Sequence, residues 1–359
     1  MPNFSDYFLV KNFFPIESSI VILAIAALLD YLIGDPWNWL HPVQVMGWVI
    51  HHYSKWVLEH FSGATTRRLA GVLLGIGIIG GSGGVGWLIV WGADLIHPLL
   101  GVAIASVVLA SCFAGRSLRI AAMDVLQPLS LPKGTPRATE EQLKIARSRL
   151  SRYVGRDTEQ LSEPEIHRAV LETVTENAVD GVIAPLFYAI VGALLTLGSV
   201  PLALAYKAAS TLDSMVGYKE APYTDLGWFS AKTEDGLTWL PCRLTVLSLA
   251  LLSGKPNQVW QVCCRDAPQD PSPNAGWSEC AYAAVLGVQV GGTNTYRGVI
   301  KQKPLLGDSL QPITVERIER AMELTRTVFI IWLAIAFGLL TLLHSVPLAS
   351  VLGSVPQPK

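Results

Sequence analysis

Residues 172–185 read ETVTENAVDGVIAP, so Glu172, Glu176, Asn177 and Asp180 fall within nine residues and an apolar run follows at once. If a helix starts at Ser162, a spacing of four puts Ile166, Val170, Val174 and Ala178 on one face. Glu172 and Glu176 then lie together on the opposite side, one turn apart, with Asp180 extending the line. Two such carboxylates repel by about a few tenths of a kcal/mol, a penalty that a cation between them removes. An oxygen-only set suits Mg²⁺, which takes one or two carboxylates together with substrate phosphates. Glu172, Glu176 and Asp180 are therefore candidate metal ligands. A solvated acidic helix end has the same pattern, and this stretch alone leaves both readings open.

Three other stretches carry reactive side chains. The run YKAASTLDSMVGYKEAPYTDLGWFSAK, from Tyr206, holds Lys207, Asp213, Ser214 and Lys219. A lysine and a serine at a membrane edge can snorkel and cap, or they can grip a phosphate. Residues 264–298 form a polar, turn-rich loop with Arg265, Asp266, Ser272, Asn274 and Glu279, followed by a short apolar helix. Loops of this kind carry function on a rigid scaffold or are simply turns. Near the first apolar run, LLDYLIGDPWNWLHPVQVMG supplies Asp30, Asp35 and His41. A carboxylate inside an apolar span is costly and tends to be functional, which singles out Asp30. A lone histidine before proline is more often a packing residue. Gly75–Gly80 matches GxGxxG, but it lies inside a span, where small residues let helices approach closely.

The elements that must position these residues follow from composition. Of 359 residues, 51% are hydrophobic and only 15% charged, against roughly a quarter charged in soluble domains. That imbalance points to a membrane. A net charge of −1 with no long basic block disfavours nucleic acid as a partner. Five scattered cysteines without metal spacing indicate reduced thiols. The strongest apolar stretches are Leu69–Trp91, Leu95–Phe113, Val182–Ala205 and Thr327–Leu352, with a shorter one at Leu240–Leu252 and a retained first helix over Ser18–Ile33. Each long one can span a bilayer. Gly198 to Pro201 punctuate Val182–Ala205, which reads either as a re-entrant hairpin or as one straight crossing. Thr139–Gln142 and Ser162–Glu165 fit the capping box, and no strand signal competes. The expected fold is all-α: a polytopic integral membrane protein with about four to six membrane segments, forming a single domain over 1–359. Basic residues place 114–181 and 253–326 in the cytoplasm as the main site-bearing segments.

Together the blocks LLDYLIGDP…HPV, AGRSL, YVGRDT, ETVTENAVDGVIAPLFYA, AYKAASTLDSMVGYK, RDAPQDPSPNAGWSE and LGVQVGGTNTY resemble the motifs of the CobD/CbiB family of cobalamin biosynthesis. The resemblance runs from about Leu28 to Asp308. It implies a ligase of the cell membrane, adenosylcobinamide-phosphate synthase, with its active site facing the cytoplasm. Such an enzyme joins adenosylcobyric acid to aminopropanol phosphate, or to threonine phosphate in some relatives, at the expense of ATP and with Mg²⁺. It is also compatible with a homo-oligomer or with association with other cobalamin-pathway enzymes. On that reading Glu172, Glu176 and Asp180 bind Mg²⁺–nucleotide, with Lys207, Asp213 and Asp266 as further catalytic candidates. Arg152, Arg156, Lys219 and Arg265 clamp phosphate or carboxylate. Asp30, Asp35, Asn177, Ser214, Ser272 and Asn274 contact substrate. One departure is visible: the family's loop often reads RDxxxHxSPN, and Asp270 stands at the histidine position. The rival readings are a corrinoid transporter, which would favour mid-span polar residues and internal repeats, and a non-catalytic membrane sensor.

Overall fold

The computed structural model describes residues 16–34, 41–130 and 138–345. Asp35 lies outside the described residues. Five described helical stretches are long and apolar enough to cross a membrane: Ala64–Ile96, Pro98–Leu129, Glu163–Leu194, Trp228–Leu252 and Val315–Ser345, with a shorter apolar helix at Ser18–Leu32. The all-α, multi-pass architecture expected from composition is the one observed.

In chain order, α1 (Ile16–Leu32) and α2 (Pro42–His60) precede the long α3 (Ala64–Ile96). His41 caps α2, its Nδ1 accepting from the Val43 N–H at 3.2 Å. His97 and Pro98 end α3 and start α4 (Pro98–Ala110). The backbone breaks at 111–114 before α5 (Gly115–Leu126). Then come α6 (Glu140–Leu150) and α7 (Glu163–Ala178), both opened by the expected capping boxes. In the second, the Ser162 N–H donates to Glu165 Oε2 at 2.8 Å. Ile166, Val170, Val174 and Ala178 are all buried, as the spacing of four requires.

Beyond α7 the chain forms a π-helical turn, Val179–Ile183, leading into α8 (Ala184–Leu194). Pro185 has no N–H to give the Gly181 carbonyl one turn back. That carbonyl instead accepts from the Ala114 N–H at 2.9 Å, which ties the turn to the start of α5. The Val182–Ala205 stretch reverses as a helical hairpin, so it is not one straight crossing. α8 ends at Leu194, the backbone reverses through residues 195–198, and α9 (Ser199–Val216) packs back against it. A Cβ at Gly192 would stand 2.2 Å from the Gly198 carbonyl oxygen, so the close turn demands glycine there.

α10 (Trp228–Leu252) is longer than the apolar run Leu240–Leu252, because the polar residues ahead of that run continue the same helix. Pro241 sits inside it and frees the Leu237 carbonyl, which the Tyr188 hydroxyl bonds at 2.9 Å. α3 lies close to α9 and α10. A Cβ at Gly75 would meet the Phe229 ring at 2.4 Å, whereas Gly77 and Gly80 face open space. The GxGxxG match therefore serves helix packing.

One element departs from expectation. After α11 (Pro256–Asp266) and α12 (Ala275–Leu286), residues 290–306 form an antiparallel hairpin of β1 (Val290–Tyr296) and β2 (Val299–Leu306). α13 (Val315–Ser345) then closes the bundle. The overlooked signal is Thr293–Ile300, a β-branched run interrupted by Arg297-Gly298. Both of those residues take positive φ, as a two-residue turn requires.

Candidate functional site

The carboxylates converge at one end of the bundle. Glu176 is exposed to solvent although protein surrounds it almost completely, so it stands in a recess. Asp180, on the π-helical turn, lies within electrostatic reach of Glu176, Asp213, Glu234 and Lys207. Asp213, from α9, faces Asp235 and Glu176. Glu234 is positioned by Thr238, whose hydroxyl bonds it and also pairs with the Tyr206 hydroxyl at 2.8 Å. The π-helical turn matters here, because it changes the phase of the helix after α7 and so sets where Asp180 faces.

Glu172 is not part of this recess. It is 1% exposed, and one oxygen is bonded by the Arg156 guanidinium while the other accepts from the Gly291 N–H at 2.8 Å. Arg156 also donates to Asn294 Oδ1 at 2.8 Å. Its neighbour Asp157 accepts from the Arg297 and Gly298 N–H groups at 2.9 and 2.8 Å. Arg168 adds bonds to Gly291 and Thr293 carbonyls. These side chains bind the β-hairpin down, so around Glu172 the face of α7 opposite its apolar stripe meets protein rather than water. Each Glu172 oxygen thus already accepts from a donor of the chain itself, which gives this carboxylate a structural partner set that Glu176 lacks. The expectation that it shares an ion with Glu176 is corrected on that ground.

The fixed hairpin delivers Lys303 to Glu279, with Nζ 3.4 Å from Oε1. Burial pushes the Glu279 carboxyl up to about 8; the Lys303 ammonium opposes this, and Glu176, Glu172 and Asp270 add to it. For Lys303 burial acts against the charge, but those four carboxylates outweigh it and hold the ammonium above its ordinary range.

Beside the recess is a cavity of about 410 Å³ lined by Lys219, Lys232, Asp235, Arg243, Asp270 and Trp277, among others. Arg243 lies over the Trp239 and Trp277 rings at 5.2 and 4.6 Å and donates to Asn274 Oδ1 at 3.0 Å. Asn274 in turn donates to the Asp235 carbonyl at 2.9 Å. Lys219 Nζ reaches the Pro271 carbonyl at 3.3 Å. Asp235 belongs to both the cavity and the recess, so an anionic floor adjoins a pocket with three cationic side chains. That pairing suits a polyphosphate and its counter-cation.

Several expected residues lie elsewhere. Arg265 and Asp266 bond each other twice at 2.7 Å, and Asp266 accepts from the Gly307 N–H at 2.9 Å. The guanidinium beside Asp266 holds that carboxyl below its usual range, and the pair anchors the exit of β2. Arg152 pairs with Asp124 at 3.0 Å on the surface. Ser272 caps α12, its hydroxyl accepting from Ala275 at 3.1 Å. Asn177 and Ser214 are exposed and bond within their own helices. Asp30 is buried at the end of α1 and lines a different cavity. Glu234, Asp235, Arg243 and Lys303 were not singled out from the sequence. The signal for Glu234 and Asp235 was the one used for Asp180: acid placed at the edge of an apolar run.

Among the described residues no three histidine, cysteine or carboxylate groups surround one point as a preformed metal cage. The recess fits an ion that takes one or two protein carboxylates and completes its shell with phosphate and water, as Mg²⁺ does.

Fold and site define a multi-pass, predominantly helical membrane protein with one β-hairpin and a charged double pocket at one end of its bundle. Residues 23–325 match the CobD/Cbib protein family. The chain is 54% identical over 320 residues to the cobalamin biosynthesis protein CobD of Synechocystis sp., covering 89% of this chain and 91% of that one. It is 39% identical to the CbiB protein of Salmonella choleraesuis (89% and 95% covered) and 39% identical to CobD of Halalkalibacterium halodurans (90% and 98%). It belongs to the CobD/CbiB family of cobalamin biosynthesis. No solved structure matches it significantly.

Proposed function

We propose that the chain is an adenosylcobinamide-phosphate synthase. It joins a propionate carboxyl of adenosylcobyric acid to the amine of aminopropanol phosphate, or of threonine phosphate, using ATP. The observation that supports this most directly is the cationic pocket of Lys219, Lys232 and Arg243 sharing Asp235 with the acidic recess. ATP and the amine substrate of such a ligation both carry phosphate, and the nucleotide must be held with its counter-ion while the phosphorylated amine is placed for attack.

A carboxylate is a poor electrophile, so ATP first transfers a phosphoryl group to it. ADP leaves, the amine attacks the acyl carbon, the C–N bond forms, and the acyl C–O bond breaks with inorganic phosphate as the leaving group. In this scheme Glu176 and Asp213, with Glu234 beside them, would hold Mg²⁺, which supplies charge neutralisation on the phosphate oxygens. Lys219, Lys232 and Arg243 grip phosphate. Asp180 takes the proton that the substrate's ammonium must lose before its amine attacks. Lys303, carried on the β-hairpin, sets the charge above Glu176. The site end carries the arginine-rich 114–181 segment, which on the positive-inside rule faces the cytoplasm.

The test is an assay of purified protein in detergent with ATP, Mg²⁺, adenosylcobyric acid and aminopropanol phosphate. The amide product is expected, and Glu176→Gln should lower turnover about 100-fold or more with normal expression. If no amide forms while the protein moves corrinoid across liposomes, the synthase reading fails.

A further inference from the structure

The AGRSL block and Asp30 remain outside the double pocket. They meet in a cavity of about 700 Å³ bounded by α1, α5 and α13. Val182 lines it from the same π-helical turn that gives Asp180 to the acidic recess, so the turn separates two sites.

The cavity is graded along its length. At the polar end stand Arg116, Arg119 and Arg326. Arg326 lies over the Tyr31 ring at 4.2 Å, and Arg116 Nη1 donates to the Tyr31 carbonyl at 3.0 Å. Both guanidiniums are thereby held at the rim. Among the described residues none of the three arginines forms an ion pair with the chain. Of the two acids lining the cavity, Glu323 is paired with Arg320 at 2.9 Å, and Asp30 is buried beneath Gly115.

From that rim the wall turns apolar in one direction. Ala24 and Leu28 precede Tyr31 on α1, Ile330 and Leu333 follow Arg326 on α13, and all four line the same cavity as the Tyr31–Arg326 pair. Arg326 to Leu333 spans about 10 Å of helix, within the membrane-crossing part of α13. Leu28, Leu32 and Ile330 are exposed.

We propose that this groove binds an anionic phospholipid, its phosphate on the three arginines and an acyl chain along Leu28, Ile330 and Leu333. A small soluble anion has no use for the apolar wall, and a neutral lipid has none for three guanidiniums that form no ion pair among the described residues. The inference needs only the membrane-spanning fold and is independent of the reaction proposed above.

The experiment places full-length protein in nanodiscs of phosphatidylcholine, with or without phosphatidylglycerol, and counts retained lipids by native mass spectrometry alongside thermal stability. Wild type is expected to retain phosphatidylglycerol in preference and to be stabilised by it. Each arginine contributes about fivefold at a membrane surface, so R119Q/R326Q should cut that preference about 25-fold. R68Q, outside the groove, should leave it unchanged. Leu333→Trp, which fills the apolar end with the arginines intact, should also abolish retention. Soluble glycerol phosphate should not displace the lipid. Equal retention of the two lipids by wild type overturns the proposal, as does an unaltered preference in R119Q/R326Q. Displacement by glycerol phosphate, or by adenosylcobyric acid, would assign the groove to a soluble anion or to substrate instead.

Discussion

Glu172 separates a structural role from the metal-binding role proposed for its neighbour Glu176 within one stretch of acids. Its two oxygens meet two donors, the Arg156 guanidinium and the Gly291 N–H. In Glu172→Gln the amide offers one acceptor and one donor, so one contact becomes donor against donor while Arg156, 9% exposed, keeps its charge. Breaking one side of a buried pair costs about 3–5 kcal/mol, whereas replacing both partners by apolar groups of similar size is often near neutral. Glu172→Gln and Arg156→Met should therefore each lose about 3 kcal/mol or more, and R156M/E172L should lose less than either. Equilibrium unfolding in mixed micelles measures the cycle. Hydrogen exchange at 290–306 should show the β-hairpin loosening first, because Arg156 and Asp157 hold it. If Glu172→Gln unfolds like wild type and instead loses Mg²⁺ affinity, the structural assignment is refuted.

The other outcomes are more local. Gly75→Val forces a Cβ into the Phe229 ring and should cost about 1–3 kcal/mol, while Gly77→Ala, facing open space, should be neutral or gain up to about 1 kcal/mol in the same unfolding assay. Tyr188→Phe strands the Leu237 carbonyl that Pro241 released, at a cost of about 1–2 kcal/mol. Glu279, at about 8 in the folded state and near its ordinary value when unfolded, binds its proton more tightly when folded. Stability should thus fall as pH rises through that interval, by about 2 kcal/mol between pH 6 and 8. Glu279→Gln should flatten that slope in EDTA-treated protein, and an unchanged slope would remove Glu279 as its source.

What the sequence alone determined is local or cumulative in origin. Apolar length gave the spanning helices, since each helix satisfies its own backbone in lipid without help from distant residues. The capping boxes at Thr139 and Ser162 and the apolar face of α7 were legible because their partners lie within four residues. The reversal at 195–198 was legible only as one of two readings. The β-hairpin was missed because its hold on the bundle comes from Arg156, Asp157 and Arg168, more than a hundred residues away. The same separation hid the division among the acids. Spacing placed Glu172 and Glu176 side by side, yet only the folded chain set Gly291 and Arg156 against the first and left the second open beside Asp213 and Glu234. Residue type supplies the charge. Which charge is neutralised and which is left facing a ligand depends on groups that tertiary packing alone brings within bonding distance.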